Sequence, residues 1–112
     1  MKILLILFLV LASIGVAQTA QHSATLTWAD ATNPTGTTYS VYRATGLCSG
    51  TPTFAKLATA ITVKTFVDST VTPGNYCYVA TASFGGVESS FSNTAVAAVP
   101  TFAPTALSVT VQ

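Results

Sequence analysis

Four basic and three acidic side chains in 112 residues leave this chain almost without charge. At 6% charged residues it lies far below the roughly 25% of an ordinary soluble domain. A formal net charge of +1 builds no field that could gather phosphate groups, so nucleic-acid binding loses its main driving force. One His and three carboxylates offer little for acid–base work. His22, Asp30, Asp68 and Glu88 stand in separate segments and form no recognisable catalytic pair. No glycine-rich phosphate loop, Ser-His-Asp order or metal-ligand cluster occurs. The expectation is a non-enzymatic chain with no cofactor and no metal.

A long hydrophobic run is also missing. The apolar stretch Ile3 to Ala12 is ten residues, half of the roughly 20 that a membrane-spanning helix needs. It follows Lys2 and precedes the small residues Gly15-Val16-Ala17, which is the three-part pattern of a secretory signal peptide. Residues 1–17 are read as the signal peptide, with a second cleavage position after Ala20. Residues 18–99 are read as one domain, and 100–112 as a linker and a C-terminal strand. No membrane span is expected once the leader is gone. The destination is the outside of the cell or its surface, with the periplasm as the other exported location. Loss of Lys2 leaves three basic and three acidic side chains, a surface weakly protected against self-association. Export also decides the chemistry of the two cysteines: Cys48 and Cys77 are expected to form a disulfide. The pair closes a loop of about 29 residues, for which chain entropy suggests roughly 3.5 kcal/mol.

What is abundant is Thr, Ala, Val and Ser, at 20, 17, 12 and 10 residues. This is a strand-and-turn composition. Short alternating segments are separated by turn signals. Ala24, Leu26 and Trp28 share one face of the first segment, His22 to Trp28. Tyr39, Val41 and Arg43 share a face of the next, with Tyr42 opposite. Strands are further expected at Phe54 to Ala58, within Ile61 to Val67, at Tyr76 to Phe84, at Ser92 to Val99 and at Ala106 to Val111. Turns are marked by Asn33-Pro34, Pro73-Gly74 and Gly85-Gly86. The pattern predicts an all-β antiparallel sandwich of about seven strands, with Leu26, Trp28, Val41, Tyr76 and Tyr78 in its core.

The run from His22 to Pro100 resembles a fibronectin type III domain of the bacterial secreted kind. The resemblance is carried by Leu26-Thr27-Trp28, Tyr39-Ser40-Val41-Tyr42-Arg43, Phe66-Val67-Asp68 and Val71-Thr72-Pro73-Gly74. Tyr76 to Ala82, Glu88-Ser89 and Ser92-Asn93 complete it. It implies an immunoglobulin-like sandwich with Trp28 between the sheets and a tyrosine corner at Tyr76. Asp68 would cap a turn, and Arg43 would pair with a carboxylate or cover a sheet edge. The Tyr39–Arg43 and Tyr76 strands would be antiparallel neighbours. The Cys48 loop would then lie beside Cys77, stapling a loop to the sheet margin.

The resembled fold opens with a strand of the form Pro-x-x-Leu-x-Val some ten residues before the Trp strand. This chain has no room for it ahead of His22 once the leader is gone, but carries Pro104-Thr105-Ala106-Leu107-Ser108-Val109-Thr110-Val111 near its end. That tail either folds back on its own domain, inserts into a second copy, or stays unpaired. Leu107, Val109 and Val111 are the candidate donor side chains. Two functions follow. One is a structural or adhesive module whose partners are other surface proteins or copies of itself, as in a filament joined by strand donation. The other is a carbohydrate-binding or accessory module, for which Tyr42, Phe54, Phe84 and Phe91 are the candidate glycan contacts.

Overall fold

The computed structural model describes residues 21–112; the signal peptide expected at 1–17, with its alternative cut after 20, lies outside the described residues. Seven strands and no helix form the described chain. They are β1 (Ala24–Thr27), β2 (Thr38–Thr45), β3 (Ala55–Ile61), β4 (Thr65–Asp68), β5 (Gly74–Phe84), β6 (Val87–Glu88) and β7 (Ala95–Val99). All pairings are antiparallel. β1 and β4 make a two-stranded sheet, and the other five strands make the second, in the order β3-β2-β5-β6 with β7 also on β5.

The eight-residue ladder between β2 and β5, Thr38↔Ser83 through Thr45↔Tyr76, is the backbone of the larger sheet. β5 turns into β6 through Gly85-Gly86, both with positive φ (60° and 81°). A type I′ two-residue hairpin requires that conformation at both positions, and glycine adopts it without a Cβ clash. β6 and β7 then flank successive parts of β5, Ser83–Phe84 and Gly74–Tyr78. Between them, Ser89 and Ser92 keep the edge attached. Their N–H groups donate to Ala82 and Ala80 C=O (2.8 Å each). Their hydroxyls accept the Ala82 and Ala80 N–H groups. Two side chains thus replace backbone carbonyls where the strand is interrupted, so the expected Ser92–Val99 strand is regular only from Ala95.

The two sheets pack through Val41, Val71, Tyr76 and Tyr78. Leu26 and Trp28, expected in the core with them, pack against this cluster but stay half-buried. The reason is the width of their sheet: β1 has β4 on one side and no described strand on the other, so its inward residues are covered from one side only. Cys77 faces outward beside the Cys48 loop as expected, but its place in the sheet differs from the margin position expected. It points away from the inter-sheet core, yet it is fully buried, and it sits between β2 and β7 rather than at a sheet margin. The third correction is the tail. Residues 106–111 form no strand, and Ala106 has φ 57°. Leu107, Val109 and Val111 are 87%, 82% and 87% exposed.

Candidate functional site

The unpaired side of β1 borders a concave surface. A groove of about 680 Å³ runs between Ala24–Ala29 and the edge formed by Ser89–Asn93 and β7. Its inward walls are Leu26, Trp28, Ala95 and Ala97, with Tyr78 and Ala80 at the floor. The backbone of β1 is available to an added strand. Trp28 N–H bonds to Lys64 C=O on the β4 side (3.2 Å). In an antiparallel ladder successive residues alternate the edge they face, so Thr25 and Thr27 direct their N–H and C=O into the groove. The Trp28 indole N–H is buried without an acceptor, and an unpaired buried donor costs about 1–3 kcal/mol. Asp30 is the one charged side chain lining the groove. Hydrogen bonds from the Asn33 side chain and the Tyr39 hydroxyl hold its carboxyl far below the usual range.

The two ends of the groove can be named. Ala24 faces Asp68 on β4, and Val99 faces Gly74 on β5. Near that end His22 stacks on Phe102, with ring centroids 4.1 Å apart and planes at 11°. The far end is Trp28 and the Asp30 loop. The C-terminal segment therefore leaves the domain at the His22 end, passes Phe102 and continues unpaired. None of the side chains in 100–112 is charged, as suits a groove lined by apolar, hydroxyl and amide side chains with one charged group.

Below the groove a polar cluster locks the two sheets together at the same end. Asp68, 1% exposed, pairs with Arg43 (2.8 Å) and accepts a hydrogen bond from the Tyr78 hydroxyl (2.7 Å). Its other oxygen accepts the Thr70 N–H (3.0 Å) and hydroxyl (2.6 Å). Burial pushes the carboxyl up, but the bonds from Thr70, Tyr78 and Arg43 outweigh it and hold the pKa at about 2. Burial, then the bond to Asp68 and its charge, pushes the Tyr78 hydroxyl well up from its ordinary value. Asp68 thus caps a turn and also joins β4 to β2 and β5. The resemblance implies the turn cap and, as one of two readings, a carboxylate partner for Arg43; that this carboxylate is Asp68, 25 residues away, is marked by no local motif. Tyr76 bonds back to its turn through its hydroxyl, which accepts the Thr72 N–H (3.1 Å).

The cysteines are joined, Cys48 to Cys77, with Cα atoms 5.2 Å apart. The bond lays the 46–52 loop over the outer face of the large sheet. On that face Tyr42 and Phe54 both meet Phe91 edge-on, with centroids 5.0 and 5.4 Å away. Lys56 lies over the Tyr42 ring, and Glu88 accepts hydrogen bonds from the hydroxyls of Tyr42 and Thr81. Three of the four candidate glycan aromatics are therefore brought together. They interlock at 62–64° instead of presenting parallel faces on which a sugar ring would stack. The fourth, Phe84, is elsewhere, against Gly36. Among the described residues no group of three or more His, Cys, Asp or Glu is placed to hold a metal ion. No helix among them is long and apolar enough to cross a membrane. The contributions of His22, Phe102, Ser89 and Ser92 are not legible in the sequence. They depend on contacts between segments that no local pattern marks.

No protein-family model matches the chain, and no curated protein matches it. Solved structures do. The fourth FNIII domain of a human protein superposes with a TM-score of 0.60 at 16% identity, covering 80% of this chain and 77% of that one; at that identity the likeness concerns the fold. An Fn3-like protein from Clostridium thermocellum superposes with a TM-score of 0.60 at 31% identity, covering 78% of this chain and 86% of that one. With sequence and fold shared over most of both chains, this protein belongs to the fibronectin type III-like family.

Proposed function

We propose that this chain is a secreted, non-enzymatic interaction module that assembles with copies of itself outside the cell. The C-terminal segment of one chain supplies a strand to the groove beside β1 of the next. The observation that carries the reading is a pair of complementary features. β1 offers an open strand position beside a groove whose inward side chains include Leu26, Trp28, Ala95 and Ala97. The tail carries an apolar alternation, Leu107, Val109, Val111, that its own domain leaves in solvent. An open sheet edge is a template for strand addition, and completion by a strand from another chain is an established mode of protein association. The disulfide supports an oxidising location. The scattered carboxylates, each engaged in local hydrogen bonds, support a role without catalysis.

The test is light scattering behind size exclusion on oxidised residues 18–112, beside a chain ending at Val99. Large assemblies in the longer chain that vanish on truncation are expected. Monomers at every concentration in both would overturn the reading. The convergence of Tyr42, Phe54 and Phe91 is the one observation favouring carbohydrate binding instead. A glycan titration that moves tyrosine fluorescence in the monomeric shorter chain would transfer the assignment to that face.

A further inference from the structure

Resting on that reading, we infer that the donated strand runs antiparallel to β1 of a second copy. Leu107 lies opposite Trp28, Val109 opposite Leu26 and Val111 opposite Ala24. Reach and the existing ladder set this direction, and a third observation, the side-chain match, is consistent with it.

The first is reach. Phe102 is held on His22 at one end of the groove. For a chain to fill its own groove in the antiparallel sense, Leu107 would have to sit opposite Trp28. That position is six residues along from His22, about 20 Å at strand rise. The five residues from Phe102 to Leu107 span about 17 Å when fully extended. The turn at Ala106 (φ 57°) shortens that reach, and nothing remains for the chain to reverse. Within one chain only the parallel alignment is reachable, with Leu107 opposite Ala24. The structure leaves that alignment empty, the three apolar side chains standing in solvent.

The second observation is the pairing already present. β1 is bonded to β4 in antiparallel register on its other side, with Thr25 and Thr27 alternating toward the free edge. An antiparallel newcomer meets those N–H and C=O groups with straight, paired hydrogen bonds. A parallel one meets them slanted and slightly weaker.

The third is the side-chain match. In the inferred register Leu107, Val109 and Val111 enter the groove. Ser108 and Thr110 face outward beside Thr27 and Thr25, a hydroxyl pairing that suits exposed cross-strand positions. Donor residues nearest the linker lie at the Trp28 end. The body of the donor sits beyond the Trp28 end of the acceptor, so the His22 end of each copy faces the Trp28 end of the next.

Cysteine pairs read the direction. In the inferred register Thr110 of one copy is directly opposite Thr25 of another. Thr27 lies on the diagonal, about 7–8 Å away, beyond the reach of a disulfide. In a parallel register the two exchange places. The variants are T25C/T110C and T27C/T110C in oxidised residues 18–112, air-oxidised and run without reductant. The expected result is a ladder of covalent multimers from T25C/T110C at least tenfold stronger than from T27C/T110C. It is accompanied by a shift in Trp28 fluorescence on assembly that the chain ending at Val99 lacks. Dominant intermolecular bonding in T27C/T110C would overturn the direction and leave strand donation standing. Dominant intramolecular bonding in T27C/T110C would overturn both, placing the tail in its own groove. Assembly of the parent chain with no bond in either variant would overturn the register alone, and no assembly with no bond would overturn both.

Discussion

Asp68 gathers hydrogen bonds from three segments of the fold. It is almost fully buried, and it ties β4 to β2 through Arg43 and to β5 through Tyr78. Its folded pKa of about 2 lies below the ordinary value of 3.8, so the carboxylate form favours the folded state. The resulting stability is present in full above about pH 4 and is lost as pH falls toward 2. The expected size is about 1–2 kcal/mol, since each tenfold change in proton affinity is worth about 1.4 kcal/mol and solvent near Arg43 screens part of it. A series of thermal melts between pH 6 and pH 2 should show the fall concentrated below pH 4. In D68N the acid-dependent step should disappear, and stability at pH 7 should drop by about 2–4 kcal/mol, because Arg43 is left without its partner. A D68N melt matching the parent at pH 7 would remove Asp68 from this role. Trp28 shows the opposite situation. The alternation Ala24, Leu26, Trp28 reads as a core face, yet Trp28 stays half-buried because no described strand lies on the far side of β1 to close over it. In the monomer W28A should therefore cost about 2–3 kcal/mol by equilibrium denaturation, below the roughly 3–5 kcal/mol usual for a fully buried aromatic.

The elements of the large sheet and its tail make separate predictions. The Cys48–Cys77 bond fixes a 29-residue separation and holds the 46–52 loop over a residue in the middle of the sheet. The paired variant C48S/C77S should lose about 3 kcal/mol in denaturant titration, with a reductant producing the same loss in the parent and no change in the variant. The tail behaves differently. Residues 105–112 are all exposed and make no strand, so their removal should leave the melting temperature of the dilute monomer within about 1 °C while abolishing assembly. The tail shows most plainly what period and turn signals can and cannot say. Alternation at Leu107, Val109 and Val111 identifies a segment able to be a strand. Whether it pairs depends on which edge its linker can reach, and that distance is set by the stacking of Phe102 on His22. The β5–β6 hairpin was legible because Gly85-Gly86 carries its geometry locally. The substitution of Ser89 and Ser92 hydroxyls for strand carbonyls was not, since a serine in a Ser-rich stretch carries no mark of such a role.

At the scale of the whole molecule the near-absence of charge determines how assembly should respond to conditions. In the proposed assembly, burial of Leu107, Val109 and Val111 and the edge hydrogen bonds of Thr25 and Thr27 work against the entropy of ordering the tail and of joining two chains. Assembly should be reversible on dilution. It should also be indifferent to salt between about 0.05 and 1 M, because ion pairs take no part in it. A peptide of residues 104–112 in excess should compete for the groove and shorten the assemblies, measured as a fall in scattering mass. The composition and the order of short alternating segments determined by themselves that the chain is an all-β sandwich, since strand period, turn residues and a buried aromatic pattern are local properties. They also determined that a further segment of strand period follows β7, because alternation is legible wherever it stands in the chain. Tertiary structure alone decided that Asp68, Arg43 and Tyr78 meet, that Cys77 is central, and that three of four aromatics interlock. It alone decided that the tail forms no strand on its own domain. Each of these depends on distances between segments remote in the chain, and such distances come into existence only when the two sheets close on one another.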